Sequence, residues 1–284
     1  MVKKFFIIAV TSIVLVLVVG IFLVKKLDSN PKPPASAKAA QVKITAIEGW
    51  TNQDIANYLE KQNIVLAQDF LQAQKNYDIS RYPILSSKPE SADLEGFLFP
   101  DTYFILKPVT PLASSSASSI IAKMLDNFSL KFTPEMEQQA KNNGMTVYQT
   151  VILASIVEKE TGRNATTDQQ KQALDTERKT VAGIFYNRLA IHMPLQSDAT
   201  VNYVTKKNDP QASLNDTKID SPYNTYVYAG LPPGPICNPS LGSIMAVLYP
   251  TKSDYYYFLD TPQGQPIYSK TLEEHDQNKA KYLP

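Results

Sequence analysis

Two glutamates lie close together near the end of a long apolar run, and a carboxylate is a side chain suited to proton transfer. The run TVYQTVILASIVEKETG covers residues 146–162 and contains Glu158 and Glu160. A carboxyl group shielded from water keeps its proton more readily, so it can act first as a general acid and then as a base. The first hypothesis is therefore an enzyme whose chemistry rests on a glutamate.

Helical spacing separates the two glutamates. A threonine and, three residues later, a glutamine open the run in a capping-box pattern, and a glycine closes it. At about 100° per residue, Glu158 continues an apolar stripe, whereas Glu160 lies about 160° around the axis and should face water or another layer. The stripe consists of Val147, Val151 and Ala154. The functional interpretation of Glu158 is a general acid in a semi-apolar cleft. The structural alternative is a helix-end glutamate that reaches solvent or pairs with Lys or Arg, and the spacing alone does not choose between the two.

A later segment has the composition of a sugar-binding wall. Residues 221–240 read SPYNTYVYAGLPPGPICNPS and are dense in Tyr, Gly, Pro and Asn. Such a segment makes rigid turns and presents rings and amides. Rings stack on the apolar faces of a sugar, and amides bind its hydroxyl groups. The alternative interpretation is a proline-rich structural loop.

Composition argues against several other chemistries. Among 284 residues, 28 Lys and Arg stand against 27 Asp and Glu, and no basic stripe follows the first 30 residues. Binding of nucleic acid by charge is therefore poorly supported. One cysteine, Cys237, and two distant histidines, His192 and His275, argue against disulfides and Cys- or His-based metal sites. We predict no metal and no organic cofactor.

The N-terminal segment predicts a membrane anchor. Residues 5–24 are twenty consecutive uncharged positions, which at about 1.5 Å each span roughly 30 Å, the thickness of a bilayer's hydrocarbon core. We predict a cytoplasmic tip and transmembrane helix over residues 1–26, with a cleaved signal peptide as the alternative. Lysine pairs flank both ends, so charge does not set the orientation. Residues 27–41, rich in Pro, Ala and Ser, predict a linker.

The remaining chain predicts an α+β fold in two parts. An alternating strand, a helix capped by Thr51 and a second helix through Phe70 predict a small αβ module over residues 42–93. This module is similar to a LysM-like glycan-binding unit, and an ordinary αβ packing element is the alternative. Residues 195–200 predict an extended segment. Further predicted elements are helices at 118–132, 134–142, 240–248 and 271–282, strands at 255–259 and 267–268, and a helix capped by Asp175 or Thr176.

Several motifs in register resemble a known family. They are LEGFLFPDTY (94–103), ASIVEKET (154–161), NRL (187–189), LQSDATVNY (195–203), and YNT with GLPPGPICNPS (223–240). Their order and spacing are similar to those of the MltG (YceG-like) family, membrane-anchored endolytic murein transglycosylases. The resemblance covers residues 94–284, predicted as a mixed α+β catalytic domain, together with the anchor and the LysM-like module.

The resemblance implies site residues, partners and a location. It implies that the glutamate of IVEKE, Glu158, is catalytic, and that a single-pass protein of the cytoplasmic (inner) membrane exposes its body on the extracytoplasmic side. Peptidoglycan glycan strands are the implied substrate, and cell-wall synthesis proteins are candidate partners. An amide or hydroxyl near the acid would hold the 2-acetamido group or stabilise oxocarbenium charge. Together with two candidates chosen by motif position, the expected substrate-binding residues are Gln196, Asp198, Tyr223, Asn224 and Thr225.

The implied reaction needs one carboxyl group. A lytic transglycosylase cuts the MurNAc-β-1,4-GlcNAc bond without water, because the substrate's own C6 hydroxyl attacks and closes a 1,6-anhydro ring. A hydrolytic muramidase instead uses two carboxyl groups about 5–9.5 Å apart. No spacing in the sequence identifies a second carboxylate that would serve such hydrolysis. Hydrolysis and a non-catalytic peptidoglycan-binding scaffold remain the two alternative functions.

Overall fold

Helices and short strands alternate in an α+β architecture, as predicted. The computed structural model describes residues 40–108, 112, 115–163, 165–207 and 212–283. In these ranges the helices are α1 Asn52–Lys61, α2 Ala67–Lys75, α3 Ser115–Lys131, α4 Pro134–Asn142, α5 Val147–Thr161, α6 Asp168–Ala190, α7 Asp198–Thr205, α8 Leu241–Leu248 and α9 Leu272–Tyr282. The strands are β1 Gln41–Thr45, β2 Thr102–Leu106, β3 Tyr257–Asp260 and β4 Pro266–Ser269.

The first strand and helix form where the sequence predicts them. β1 pairs antiparallel with β2, in a register that joins Gln41 to Leu106. The Thr51 side chain caps α1, and Asp54 completes the capping box by accepting from the Thr51 backbone N–H at 2.9 Å. The capping box satisfies donors that a helix start leaves free, which is why α1 begins there.

Buried contacts join the predicted 42–93 module to the chain that follows it. The Asn52 backbone N–H donates to the Glu95 carboxyl at 3.0 Å, and the Asn238 amide donates to the Trp50 carbonyl at 3.0 Å. The pairing of β1 with β2 crosses the same boundary. The division at residue 93 stays a prediction, and in the structure both sides share one hydrophobic core.

Helix α5 lies at the centre of this core. It begins after Thr146 and ends before Gly162, as the capping box and glycine predict. Twelve of its fifteen residues are buried, so apolar packing surrounds nearly the whole helix. A helix buried on most sides has no water-facing side to contrast with its core side. An argument from one apolar stripe therefore loses its force here.

Helix α6 begins earlier than the sequence predicted. Thr167, not Asp175 or Thr176, is the N-cap: its side chain accepts from the Gln170 backbone N–H at 3.2 Å, and Gln170 completes the capping box. The prediction at Asp175 or Thr176 is wrong because the first two turns of α6 are polar and show no apolar period. A capping box defines this start without one.

The extended segment predicted at residues 195–200 is also corrected. Residues 195–197 are irregular, and α7 begins at Asp198 with Ser197 as its N-cap. This short helix carries an aspartate in its first turn, where a negative charge is stabilised by the helix dipole. The consequence for the site is that Ser197 and Asp198 lie at a helix start.

The C-terminal part is a β-hairpin followed by α9. β3 and β4 pair antiparallel, with Tyr257 opposite Ser269. The predicted anchor at residues 5–24 and residues 27–39 of the predicted linker lie outside the described residues. The predicted linker end at residue 41 is corrected, because Gln41 belongs to β1 and pairs with Leu106. Within the described ranges, none of the helices has both the length and the apolar character needed to cross a bilayer.

Candidate active site

A cavity of about 470 Å³ lies where the C-terminal end of α5 meets the start of α7, β3 and α9. Polar and aromatic side chains line it, with several leucine and phenylalanine side chains between them. The cavity-lining groups able to donate, accept or titrate are Glu160, Arg188, Gln196, Ser197, Asp198, Tyr226, Tyr257, Asp260, His275 and Lys279. Of the two glutamates near the end of α5, it is Glu160 that lines this cavity.

Glu160 is partly buried and has the electrostatics of a proton donor. The Ser197 hydroxyl donates a hydrogen bond to its Oε1 atom. Burial is the largest cause that raises the pKa of Glu160 above its ordinary value, and the nearby carboxylates of Asp198 and Asp260 act in the same direction. Ser197 and Arg188 oppose the increase, and the resulting pKa is about 7. A glutamic acid in this range is protonated in a large fraction of molecules at neutral pH.

Glu158 lies on the opposite side of α5 in a closed polar cluster. Its side chain is 4% exposed. Its Oε2 atom accepts from the Ser240 backbone N–H at 3.0 Å and from the Ser243 hydroxyl at 2.7 Å, and its Oε1 atom pairs with the Arg178 guanidinium at 3.5 Å. These partners belong to α6 and to the start of α8. Glu158 therefore ties three helices together.

The positions of the two glutamates change the interpretation of the sequence. The apolar stripe correctly predicts that Glu158 is buried, but burial here accompanies an ion pair with Arg178, which is the structural alternative stated above. The prediction that Glu160 faces water or another layer did not identify that layer as the wall of a cavity. The catalytic role of Glu158 stays a prediction, and of the two glutamates it is Glu160 that lines the cavity.

The turn before α7 is held in an unusual backbone conformation. Gln196 has φ of 51°, in the left-handed region that disfavours side chains with a Cβ atom. The Gln196 backbone N–H donates to the Thr225 carbonyl at 3.0 Å, and the Ser197 N–H donates to the Thr225 hydroxyl at 3.0 Å. Thr225 also exchanges a hydrogen bond with the Thr200 hydroxyl at 2.9 Å. Thr225 thus fixes the turn that places Ser197 beside Glu160.

The five predicted substrate-binding residues occupy different environments. Gln196 and Asp198 line the cavity, where the Asp198 carboxylate accepts from the Tyr226 hydroxyl at 2.8 Å. Asn224 and Thr225 are both 1% exposed and bind backbone groups. Tyr223 packs against another ring, that of Tyr203, with centroids 5.1 Å apart. The structure therefore gathers two of the five at the cavity, with Thr225 behind them.

Sequence reasoning missed Arg188 as a site residue, although it lies in the quoted NRL motif. Arg188 is 5% exposed, and its guanidinium donates to the backbone carbonyls of Tyr256 and Leu195, both at 2.6 Å. It also lies over the Tyr257 ring at 5.3 Å. Arg188 thus joins α6 to two cavity walls and keeps a positive charge near Glu160.

Other missed residues come from distant parts of the chain. Tyr226 lies three residues beyond Tyr223 in the tyrosine-rich segment 221–240. The sequence predicted this segment as a sugar-binding wall, which is the signal that could have identified Tyr226. Asp260 and His275 lie on β3 and α9, and no local pattern marks them. Within the described ranges, no group of three or more His, Cys, Asp or Glu side chains is placed to hold a metal ion.

Comparisons with known proteins agree with the motifs. A family model described as the YceG-like family matches residues 21–281. The chain is 34% identical over 269 residues to a protein of Bacillus subtilis (strain 168) named endolytic murein transglycosylase, covering 92% of this chain and 69% of that protein. It is 38% identical over 217 residues to a protein of the same name from Streptococcus pneumoniae (strain ATCC BAA-255 / R6), covering 72% of this chain and 36% of that protein.

A solved structure shares the fold. The crystal structure of a YceG-like protein from Listeria monocytogenes is similar with a TM-score of 0.69 and 34% sequence identity. The match covers 83% of this chain and 75% of the Listeria chain.

Proposed function

The chain belongs to the YceG-like family, and we propose on that basis that it is a lyase that cuts peptidoglycan glycan strands internally, as an endolytic murein transglycosylase. Two relatives at 34% and 38% identity carry that name. The observation that carries the proposal in this chain is Glu160, a carboxyl group with a pKa of about 7 in the wall of a cavity. Protonated and cavity-facing, it is the group that glycosidic bond cleavage needs.

In the first step, Glu160 acts as general acid. Its proton moves to the oxygen between MurNAc and GlcNAc as the bond from MurNAc C1 to that oxygen breaks, so GlcNAc leaves with a neutral hydroxyl group. Positive charge develops at C1 and the ring oxygen of MurNAc. The Asp198 carboxylate lies in the same cavity and favours this charge electrostatically.

In the second step, the Glu160 carboxylate acts as base. It accepts the proton of the MurNAc C6 hydroxyl while that oxygen bonds to C1, which closes the 1,6-anhydro ring and restores the glutamic acid. Water takes no part, and one carboxyl group serves both steps. A pKa near neutrality favours this double role, because neither protonation state is strongly disfavoured.

The remaining predicted residues then divide into two roles. Gln196 is proposed to contact the sugar from the cavity wall. Thr225 and Asn224 are proposed to position the turn rather than touch the substrate, since both are buried against backbone groups. Tyr223 is proposed as part of an aromatic wall farther from Glu160, where it packs with Tyr203.

We also propose that residues 5–24 anchor the protein in the cytoplasmic membrane, with the body on the extracytoplasmic side. The twenty uncharged positions and the location of glycan strands support this topology. The LysM-like character of residues 42–93 and contact with cell-wall synthesis proteins belong to the same proposal. A reporter fused after Pro284 should be active on the extracytoplasmic side. Activity confined to the cytoplasm contradicts both topology and function.

One experiment tests the reaction and its acid together. Digests of purified sacculi and of uncrosslinked strands are compared by mass spectrometry for the parent protein, Glu160→Gln and Glu158→Gln. The two variants lie two residues apart on one helix and change charge identically, so each controls for the other. We expect 1,6-anhydro-MurNAc ends from the parent and a loss of at least about 10²-fold in Glu160→Gln.

Other outcomes have defined meanings. Loss confined to Glu158→Gln, in a protein that remains folded, returns the catalytic role to Glu158. Reducing MurNAc ends, heavier than the anhydro product by one water, about 18 Da, indicate a hydrolytic muramidase with a second carboxylate. Binding to sacculi without any cleavage indicates a scaffold.

A further inference from the structure

One face of the C-terminal helix α9 forms a wall of the cavity that contains Glu160. Four residues of the chain's end line the cavity at spacings of three and four, so they share one side of α9 and its extension. They are Leu272, His275, Lys279 and Leu283. The reaction proposed above assigns no role to this wall.

The wall combines exposed apolar groups with a cation. Leu272 is 54% exposed and Leu283 is 39% exposed, so both leave apolar surface accessible. The Lys279 side chain is 49% exposed and lies 3.7 Å from the Asp276 carboxylate in an i,i+3 pair. Exposed pairs of this type are weak, so Lys279 is available to another anion.

His275 adds a hydrogen-bonding group that lacks a partner. The residue is 9% exposed, and within the described part of the chain its Nδ1 atom has no hydrogen-bond partner. Its ring stacks on Tyr257, with centroids 5.3 Å apart. A buried ring nitrogen without a partner is costly. Because His275 lines the cavity, a rotation of its ring would turn this nitrogen towards a bound ligand that supplies the missing hydrogen bond.

We infer that this wall, through His275 and Lys279, receives the peptide arm of MurNAc and selects strands that carry it. The inference rests on the proposed function. The arm starts at the sugar with a lactyl ether and an alanine, whose methyl groups are apolar, and continues to free carboxylates. The leucines suit its apolar start, the imidazole an amide, and the lysine a carboxylate. On α9 about 6 Å of helix rise separates His275 from Lys279, and the lysine stem extends that reach.

The test compares two substrates and matched variants. Uncrosslinked peptide-bearing strands are compared with the same strands after an amidase has removed the peptides and left the lactyl carboxylate. Lys279→Ala is compared with Lys281→Ala, a control lysine on the same helix that lies over the Tyr282 ring. His275→Phe keeps a ring against Tyr257 and removes both nitrogens.

We expect Lys279→Ala and His275→Phe to raise KM for peptide-bearing strands about three- to tenfold, with kcat nearly unchanged. For peptide-free strands, and for Lys281→Ala on either substrate, KM should stay within about twofold of the parent. Equal increases on both substrates overturn the inference, because they place these residues on the sugar or on the fold.

Measurements of binding affinity distinguish a failure of this inference from a failure of the proposed function. The affinities of Glu160→Gln protein for both kinds of strand are measured with and without Lys279→Ala. If peptide-bearing strands bind more tightly in a way that depends on Lys279, but the parent protein cleaves nothing, the result supports peptide binding by this wall and contradicts the proposed reaction. Cleavage of both substrates without any effect of Lys279 or His275 contradicts the wall alone.

Discussion

The Ser197 hydroxyl donates a hydrogen bond to Glu160 Oε1, and this contact joins the start of α7 to the end of α5. It is the direct link between the motif LQSD and the motif EKET. Because the hydrogen bond favours the ionised carboxylate, it lowers the pKa of Glu160 against the larger effect of burial. Ser197 therefore both positions the proposed acid and adjusts its proton affinity.

Removing this hydrogen bond should change the pH dependence of turnover. In Ser197→Ala, the pKa of Glu160 rises, so the alkaline limb of the rate profile should move to higher pH. Turnover at the optimum should fall less than about tenfold, since the acid itself remains. Rates of strand cleavage from pH 5 to 9 check this. An unchanged alkaline limb contradicts Glu160 as the group that titrates.

Replacing Glu158 should mainly cost stability. Glu158→Gln removes the buried carboxylate from Arg178, which keeps the more exposed Asp175 carboxylate at 3.7 Å. It also places an amide where three donors converge. Breaking a buried pair from one side costs about 3–5 kcal/mol, and the retained hydrogen bonds should reduce this to about 2–4 kcal/mol. Denaturant unfolding measures the free energy. A cost below about 0.5 kcal/mol contradicts the role of Glu158 as a tie between helices.

Glu160 should make the free energy of unfolding depend on pH. In the folded protein its pKa is about 7, against an ordinary value of 4.5, so between these values the folded state binds more protons than the unfolded state. The free energy of unfolding therefore loses a contribution as pH rises through this window.

Glu160→Gln removes this pH-dependent contribution. The free energy of unfolding of the variant minus that of the parent should therefore increase by about 1–3 kcal/mol between about pH 4.5 and pH 7.5. Burial also raises the pKa values of Glu95, Glu48, Glu177 and Asp260. Those groups are common to both proteins, so the difference isolates Glu160. A difference that is constant with pH contradicts a raised pKa at this residue.

Thr225→Val should weaken activity through the turn at Gln196. The substitution keeps the shape of the side chain but removes the hydroxyl that accepts from the Ser197 N–H and pairs with Thr200. Loss of such buried hydrogen bonds costs about 1–3 kcal/mol. We expect kcat to fall at least about fivefold, which corresponds to an increase of about 1 kcal/mol in the activation free energy. Thr205→Val, at the end of α7, is the matched control and should retain kcat within about twofold of the parent.

Local sequence patterns predicted the helix starts that are fixed by contacts between residues close together in the sequence. The cap at Thr51 and the capping box at Thr146 predicted two helix starts correctly, because a cap is a contact between residues three apart. The α+β class and the family motifs were likewise readable from the chain. The start of α6 was missed because its polar first turns carry a cap without an apolar period.

Which glutamate meets the cavity was decided only by tertiary structure. The sequence alone places Glu158 and Glu160 on opposite sides of α5, and it cannot say which neighbour covers each side. Packing brings Arg178 and the start of α8 to Glu158, and Ser197 and Asp198 to Glu160. These partners are about 20 to 80 residues away along the chain. Since α5 is buried almost all round, an apolar stripe reports burial but cannot distinguish a closed ion pair from the wall of a cavity.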